Sequence, residues 1–134
     1  MTHPDIYPLM GDDTRPNVGK FKAHFSDRVQ HVLVRDNDEL IGMFLLVMHS
    51  NIKWEAHTLM LPNGRGRRAV RAYREGLEWC KANGCRYLYG VIPEDNHGAI
   101  QVAVLGGMQK VGVMANSIMR GGLLIDEIIV GKVL

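Results

Sequence analysis

Glu55 and His57 stand two apart in the stretch KWEAHTLML, residues 53–61. Side chains alternate along a strand, so on a strand this carboxylate and imidazole share one face. Either can take a proton from an amine, directly or through water. The plainer reading of the same pair is a solvated glutamate beside a half-buried structural histidine. Just downstream, Gly64, Arg65, Gly66, Arg67 and Arg68 lead into Ala69, and Arg71 and Arg74 follow. Glycines let a backbone approach a phosphate closely, arginines bind it bidentately, and a helix N-terminus offers unpaired amides to an anion. An ordinary basic turn on a solvated surface has the same composition. Which reading holds depends on the elements around the loop.

Those elements follow from periodicity and punctuation. His31 to Arg35 is β-rich, Asp36-Asn37-Asp38 is turn chemistry, and Leu40 to His49 is a long apolar run, which together predict a hairpin. After a turn at Ser50-Asn51, a third strand runs through Trp54 to Leu61 and ends at Pro62. From about Gly66 to Asn83, Val70, Tyr73, Leu77 and Cys80 repeat at helical spacing, and Gly84 is a C-terminal stop. Cys85 to Ile92 is the next strand. Pro93 ends it, and Asp95 or Asn96 caps a second helix carrying Ala99, Ile100, Ala103 and Val104, closed by Gly106-Gly107. From Met108 onward, two β-rich runs flank a turn at Arg120-Gly121-Gly122. Upstream, residues 1–16 read as irregular. Asn17 is placed to cap a short helix that shows Val18, Phe21, Phe25 and Val29 on one face.

A strand–helix–strand unit between hairpins predicts an α/β (α+β) fold. Its sheet is mixed and mostly antiparallel, with one parallel βαβ unit and helices on its faces. At 134 residues, with 46% apolar and 22% charged residues, the chain is expected to form one globular domain over 1–134. The net charge of +2 gives no general case for nucleic acid, and the arginine cluster lacks interleaved aromatics beyond Tyr73. Cys80 and Cys85 make no disulfide framework, and neither they nor the six histidines show zinc spacing, so no metal is expected. No apolar run reaches membrane-spanning length and no signal-peptide core is visible, so a soluble cytoplasmic protein is expected.

Over about residues 31–134 the pattern resembles the GCN5-related N-acetyltransferase superfamily. In that family a strand feeds a Gln/Arg-x-x-Gly-x-Gly/Ala loop, whose amides at the start of a long helix hold the pyrophosphate of acetyl-CoA. Here Gly64, Arg67 and Ala69 fall on the motif positions, with Gly66 one residue from the first glycine. The second marker is NHGAIQVAVLGGM, in which Asn96, Ala99, Ile100 and Gly107 match, while Ala103 stands where the family usually has a tyrosine. The resemblance implies acetyl-CoA as cosubstrate and an unidentified amine as acceptor. It places the cofactor on Leu59, Leu61, Gly64, Arg65, Gly66, Arg67, Arg68, Ala69 and Asn96, with amides near Leu59 and Leu61 meeting the carbonyl and the pantetheine arm. Glu55 and His57 become the candidate catalytic pair, His97 lies near the cofactor, and Tyr87 or Tyr89 takes the place of the missing proton donor.

The alternative is a binding or assembly module without catalysis. The spacing WEAHTLMLPNGRGRRAVRAYREGLEWC also resembles short acetyltransferase-like proteins of tailed bacteriophages, which implies a protein partner in a virion or head-assembly role. A homodimer is compatible with both readings. Met43, Met48 and Met60 are expected in the core, and Met108, Met114 and Met119 in core or half-buried positions near the C-terminal hairpin.

Overall fold

Among the described residues six strands and two helices follow one another, from the first strand onward, in the order the hydrophobic pattern predicts. A computed structural model describes residues 3–9, 13, 22 and 25–134. The strands are β1 (Val29–Asp36), β2 (Glu39–Met48), β3 (Lys53–Met60), β4 (Tyr87–Pro93), β5 (Gln109–Arg120) and β6 (Leu123–Val133). Helix α1 (Arg67–Ala82) joins β3 to β4, and α2 (His97–Gly106) joins β4 to β5. Single 3-10 turns lie at Tyr7–Leu9 and Pro62–Gly64. The sheet order is β1-β2-β3-β4-β6-β5. Only β3 and β4 run parallel; the other neighbours are antiparallel. This is the mixed sheet expected from the sequence. Among the described residues no helix is long and apolar enough to cross a membrane.

The β1–β2 turn shows how local chemistry sets the architecture. Asn37 and Asp38 both have positive φ, 49° and 65°, between the paired Asp36 and Glu39. Two left-handed residues in succession make the turn whose twist matches a hairpin, and Asn and Asp tolerate that conformation better than other side chains. The ladder then slips between Val34 and Arg35, so that Ile41 has no partner on β1. Ile41 is buried, and its carbonyl turns to the segment after β3, accepting from Leu61 N–H at 3.0 Å. Gly64 packs onto the same carbonyl. A Cβ at Gly64 would lie 2.2 Å from it, so only glycine fits.

Both helices cover one face of the sheet. Phe44, Leu46, Trp54, Ala56, Leu88 and Val130 form one core with Ala72, Tyr73, Leu77 and Cys80 of α1 and Ala103 of α2. Gly76 lets α1 sit on the Phe44 ring, and Gly106 lets α2 sit on Tyr73. Gly107 ends α2 in the left-handed conformation, and its N–H bonds Ala103 and Val104 carbonyls. Alternation sends Glu55 and His57 to the face away from these helices.

Two expectations change. The helix foreseen after Asn17 falls mainly outside the described residues, and of its apolar positions Phe25 is exposed while Val29 opens β1. β-branched Val29 continues into a β-rich run, and the pairing with Val47 decides its state. Met108 is buried as expected, but Met114 and Met119 are exposed on β5, the edge strand, which has a neighbouring strand on one side only.

Replacing Gly64 with alanine is expected to cost about 1–3 kcal/mol in chemical denaturation, the usual range for an overpacked site. Alanine at Gly66, beside which a Cβ meets nothing within 4 Å, tests only its φ of +68°. An undisturbed Gly64→Ala protein would show that the loop does not rest on Ile41.

Candidate active site

The parallel seam between β3 and β4 is short. Lys53 pairs with Tyr87, Trp54 with Leu88 and Glu55 with Tyr89, and there the pairing stops. Both strands continue, to Met60 and Pro93, so a gap opens beyond Glu55 and Tyr89. Gly90 sits at the point of divergence, where an added Cβ would be 3.0 Å from the Ala56 carbonyl. That carbonyl points into the gap. The Leu59 carbonyl points instead to Gly42 on β2, and Leu61 N–H is taken by Ile41. Backbone direction alternates with the side chains, so Thr58 and Met60, rather than Leu59 and Leu61, present their amides to the gap. The expected donors near Leu59 and Leu61 thus have Thr58 and Met60 as their neighbours on this edge, because the unbroken β2–β3 register turns Leu59 and Leu61 toward β2.

Beyond the gap lies the start of α1. Gly66 is its cap, with φ +68° and no side chain to bond the first turn. The first helical bond runs from Val70 N–H to the Gly66 carbonyl at 3.2 Å. Among the described residues the amides of Arg67, Arg68 and Ala69 therefore have no partner, and these are the donors an anion would meet. Ala69 is buried, while Arg65 and Arg67 are exposed.

The arginines divide their work. Arg68 bonds Asp36 through Nε at 2.7 Å, Glu39 through Nη2 at 2.7 Å and the Asn63 carbonyl through Nη1 at 2.9 Å. Asn63 Nδ2 donates to the other Glu39 oxygen at 2.7 Å, and Arg71 pairs with Asp36. The Arg68 hydrogen bond, followed by the charges of Arg71 and Arg68, outweighs partial burial and holds the Asp36 carboxyl below its usual range. Arg74 donates to the Leu105 carbonyl at the end of α2. Among the described residues Arg65 bonds a neutral carbonyl, that of Asp5, at 2.9 Å.

At the apex of the gap the structure gathers four polar side chains. Glu55 Oε2 accepts from Tyr89 O–H at 3.0 Å and meets His49 Nε2 at 2.9 Å. Glu55 Oε1 lies 3.4 Å from His57 Nε2. Burial pushes the Glu55 carboxyl up, but the hydrogen bonds from His49 and Tyr89 and the nearby His57 together hold it below its usual value. Burial, and then Glu55 itself, push the Tyr89 phenol up to about 12, so it stays protonated. Each imidazole that gives Nε2 to the carboxylate keeps Nδ1 available.

The other expected residues are placed as follows. Asn96 caps α2, its Oδ1 accepting from Ala99 N–H at 3.3 Å. His97 is exposed at the first position of α2, and Tyr87 packs over Gly131. Cys85 is fully buried, and burial raises its thiol. Ala103 is 1% exposed and faces the core, so it brings no polar group to the gap. Among the described residues no group of three His, Cys, Asp or Glu is placed to hold a metal. His49, Asp36 and Glu39 are not among the residues expected at the site. For His49 the signal is the hairpin register, since pairing Met48 with Trp54 brings His49 close to Glu55. For the two acids it is an acidic turn facing a basic loop.

The sequence profile of the acetyltransferase (GNAT) family matches residues 4–106. No curated protein sequence gives a significant match. Among solved structures, Mycobacterium smegmatis RimJ in complex with CoA-disulfide superimposes with a TM-score of 0.68 at 15% identity, over 79% of this chain and 53% of that one. Spermidine N-acetyltransferase from Vibrio cholerae in complex with CoA and spermine gives 0.71 at 16% identity, over 80% and 66%. The microcin C7 self-immunity acetyltransferase MccE, in complex with acetyl-CoA and AMP, gives 0.69 at 15%, over 81% and 62%. The chain thus spans between about half and two thirds of these proteins, and the likeness is one of fold.

Because the Glu55 carboxyl is held below its ordinary 4.5 in the fold, its stabilising contribution is present above that value and fades as pH falls through the lowered one. Denaturation between pH 7 and pH 3 is therefore expected to show an acid-side loss of stability in the natural protein that is shallower in Glu55→Gln. Equal slopes would show the carboxylate to be free of its histidine and tyrosine partners.

Proposed function

The chain belongs to the GNAT acetyltransferase family, and from that premise we propose that it transfers an acetyl group from acetyl-CoA to an amine by direct attack on the thioester. The observation that carries this reading is the end of β3–β4 pairing at Glu55 and Tyr89. It opens a gap between an uncapped helix N-terminus and a cluster of proton-carrying side chains.

The residues suit the coenzyme. Gly66 has open space beside it, and the Arg67, Arg68 and Ala69 amides are free to meet a diphosphate. The edges of β3 and β4 offer backbone groups to a linear arm that carries amides of its own. When bound, the thioester supplies an acyl group that an amine nitrogen can take, forming a C–N bond as the C–S bond breaks. Glu55 orients His49 and His57, and a free Nδ1 accepts the proton the amine must lose. Glu55, ionised and bonded to both imidazole and phenol, is placed to pass a proton between them. Tyr89 gives its proton to the departing sulfur as it receives one from the carboxylate, so the amine's proton ends on the thiol. Tyr89 thereby stands in for the hydroxyl that Ala103 does not supply. A cytoplasmic place of action belongs to the same proposal.

A second reading has its own observation. The tip of the β5–β6 hairpin presents Leu123 and Leu124 at 70% and 56% exposure, on opposite faces, with exposed Met119 paired to Leu124. Exposed apolar residues at one tip can serve as a contact surface. A catalytically silent assembly role, in a virion or elsewhere, would use this hairpin. Co-purification with a capsid or tail component, lost in Leu123→Ser/Leu124→Ser and accompanied by no turnover, would support that reading.

The enzymatic proposal is tested by thiol release from acetyl-CoA with a panel of primary amines and polyamines. Amine-dependent release is expected, and Tyr89→Phe and His57→Gln are each expected to slow it about 10²-fold or more. Calorimetry should find their acetyl-CoA affinity within about twofold of the natural protein, since neither residue lies on the loop. No heat on adding acetyl-CoA at millimolar concentration would overturn the proposal.

A further inference from the structure

We infer that Asp36 and Glu39, two acids beside the loop proposed to hold the coenzyme diphosphate, strengthen coenzyme binding by fixing Arg68 as a positioning residue. The inference rests on the coenzyme reading above. Its sign runs against simple electrostatics, because a carboxylate near a phosphate repels it.

The geometry decides between the two effects. Every nitrogen of the Arg68 guanidinium is bonded: Nε to Asp36, Nη2 to Glu39 and Nη1 to the Asn63 carbonyl. The plane of the fork is thus set by three partners on two different segments. The acids flank a stiff turn in which Asn37 and Asp38 are both left-handed and Arg35 Nη1 donates to the Asp38 carbonyl at 2.9 Å. Asn63 closes the ring by donating to Glu39 at 2.7 Å. The clamp therefore joins the β1–β2 hairpin to both ends of the loop, at Asn63 and at the second residue of α1. Between these points Gly64 is wedged on Ile41. The segment left to meet a ligand runs from Arg65 to the free amides of Arg67, Arg68 and Ala69, with its backbone already held at both ends.

The charges are sorted by the same contacts. Asp36 and Glu39 are matched by Arg68 and Arg71, so the acids act on a diphosphate largely as neutral pairs. Arg65 is bonded to an uncharged carbonyl, and no ion pair involves Arg65 or Arg67 among the described residues. A loop ordered before binding spares the ligand the entropy of ordering it. Removing an acid frees Arg68 and the loop, and that loss exceeds the gain from removing one screened negative charge.

Calorimetry with coenzyme A on Asp36→Asn, Glu39→Gln and Arg68→Lys tests the inference. Each is expected to weaken binding roughly fivefold or more, as small misplacements of a positioned site do. Arg68→Lys keeps the charge but loses the fork. Tighter binding in the two acid variants would overturn the inference in favour of direct repulsion. Full affinity in Arg68→Lys would overturn it in favour of a charge contact. Limited trypsin digestion supplies a readout that needs no ligand, since Arg65 and Arg67 are exposed and Asp36→Asn should be cut faster after them. Faster cutting without any coenzyme binding, even by the natural protein, would sink the coenzyme reading and leave the clamp standing. Unchanged affinity with unchanged cutting would remove the clamp.

Discussion

Parallel pairing between β3 and β4 lasts three residues and then ends. Backbone amides and carbonyls need partners, and a strand edge left open inside a sheet is the least usual place for them to lack one. Thr58 and Met60 on one side and Val91 on the other turn their backbone groups to this gap. It is held open by β4 pairing fully with β6 while β3 pairs fully with β2. The helix start, the apex cluster and the divergence at Gly90 take their meaning from that gap. In the proposed reaction the ligand's own amides complete the two strand edges.

The apex shows how one carboxylate can organise several weak groups. Glu55 reaches it because β3 alternates and because Trp54 and Ala56 fix the alternate positions in the core. His49 arrives from the end of β2, and Tyr89 from the last paired position of β4. Burial, and then the bond to Glu55, raise the Tyr89 phenol, while against its own burial the Glu55 carboxyl is held down by His49 and then Tyr89, so the ionisation of the two groups is well separated. An acid and a base of well-separated affinity for protons can coexist within 3.0 Å at neutral pH.

Much of this was legible in the sequence. The Asn96 cap, the Gly84 and Gly107 stops and the Asp36-Asn37-Asp38 turn are local signals, and each fixed an element to within a residue or two. The shared face of Glu55 and His57 follows from strand periodicity alone. What escaped was set by register and by distant pairs. Arg68 and its acids are 32 and 29 residues apart, so the cluster looked like five cations available to an anion when two of them were already matched. The direction of the Leu59 and Leu61 amides is set by the register of β3 against β2, which is a pairing between distant residues. Met114 and Met119 looked like core residues because composition does not reveal which strand ends at the sheet's edge.

The three-residue seam also has a mechanical meaning. It joins two antiparallel blocks, β1–β2–β3 and β4–β6–β5, each of them laced along its length. Stiffness is high within a block and low along the seam. Small rotations between blocks therefore concentrate at Glu55 and Tyr89 and become changes in the width of the opening. The helix layer spans the seam through Tyr73 of α1, which packs on Phe44 of the first block and on Gly106 of α2, the helix that leads from β4 into the second.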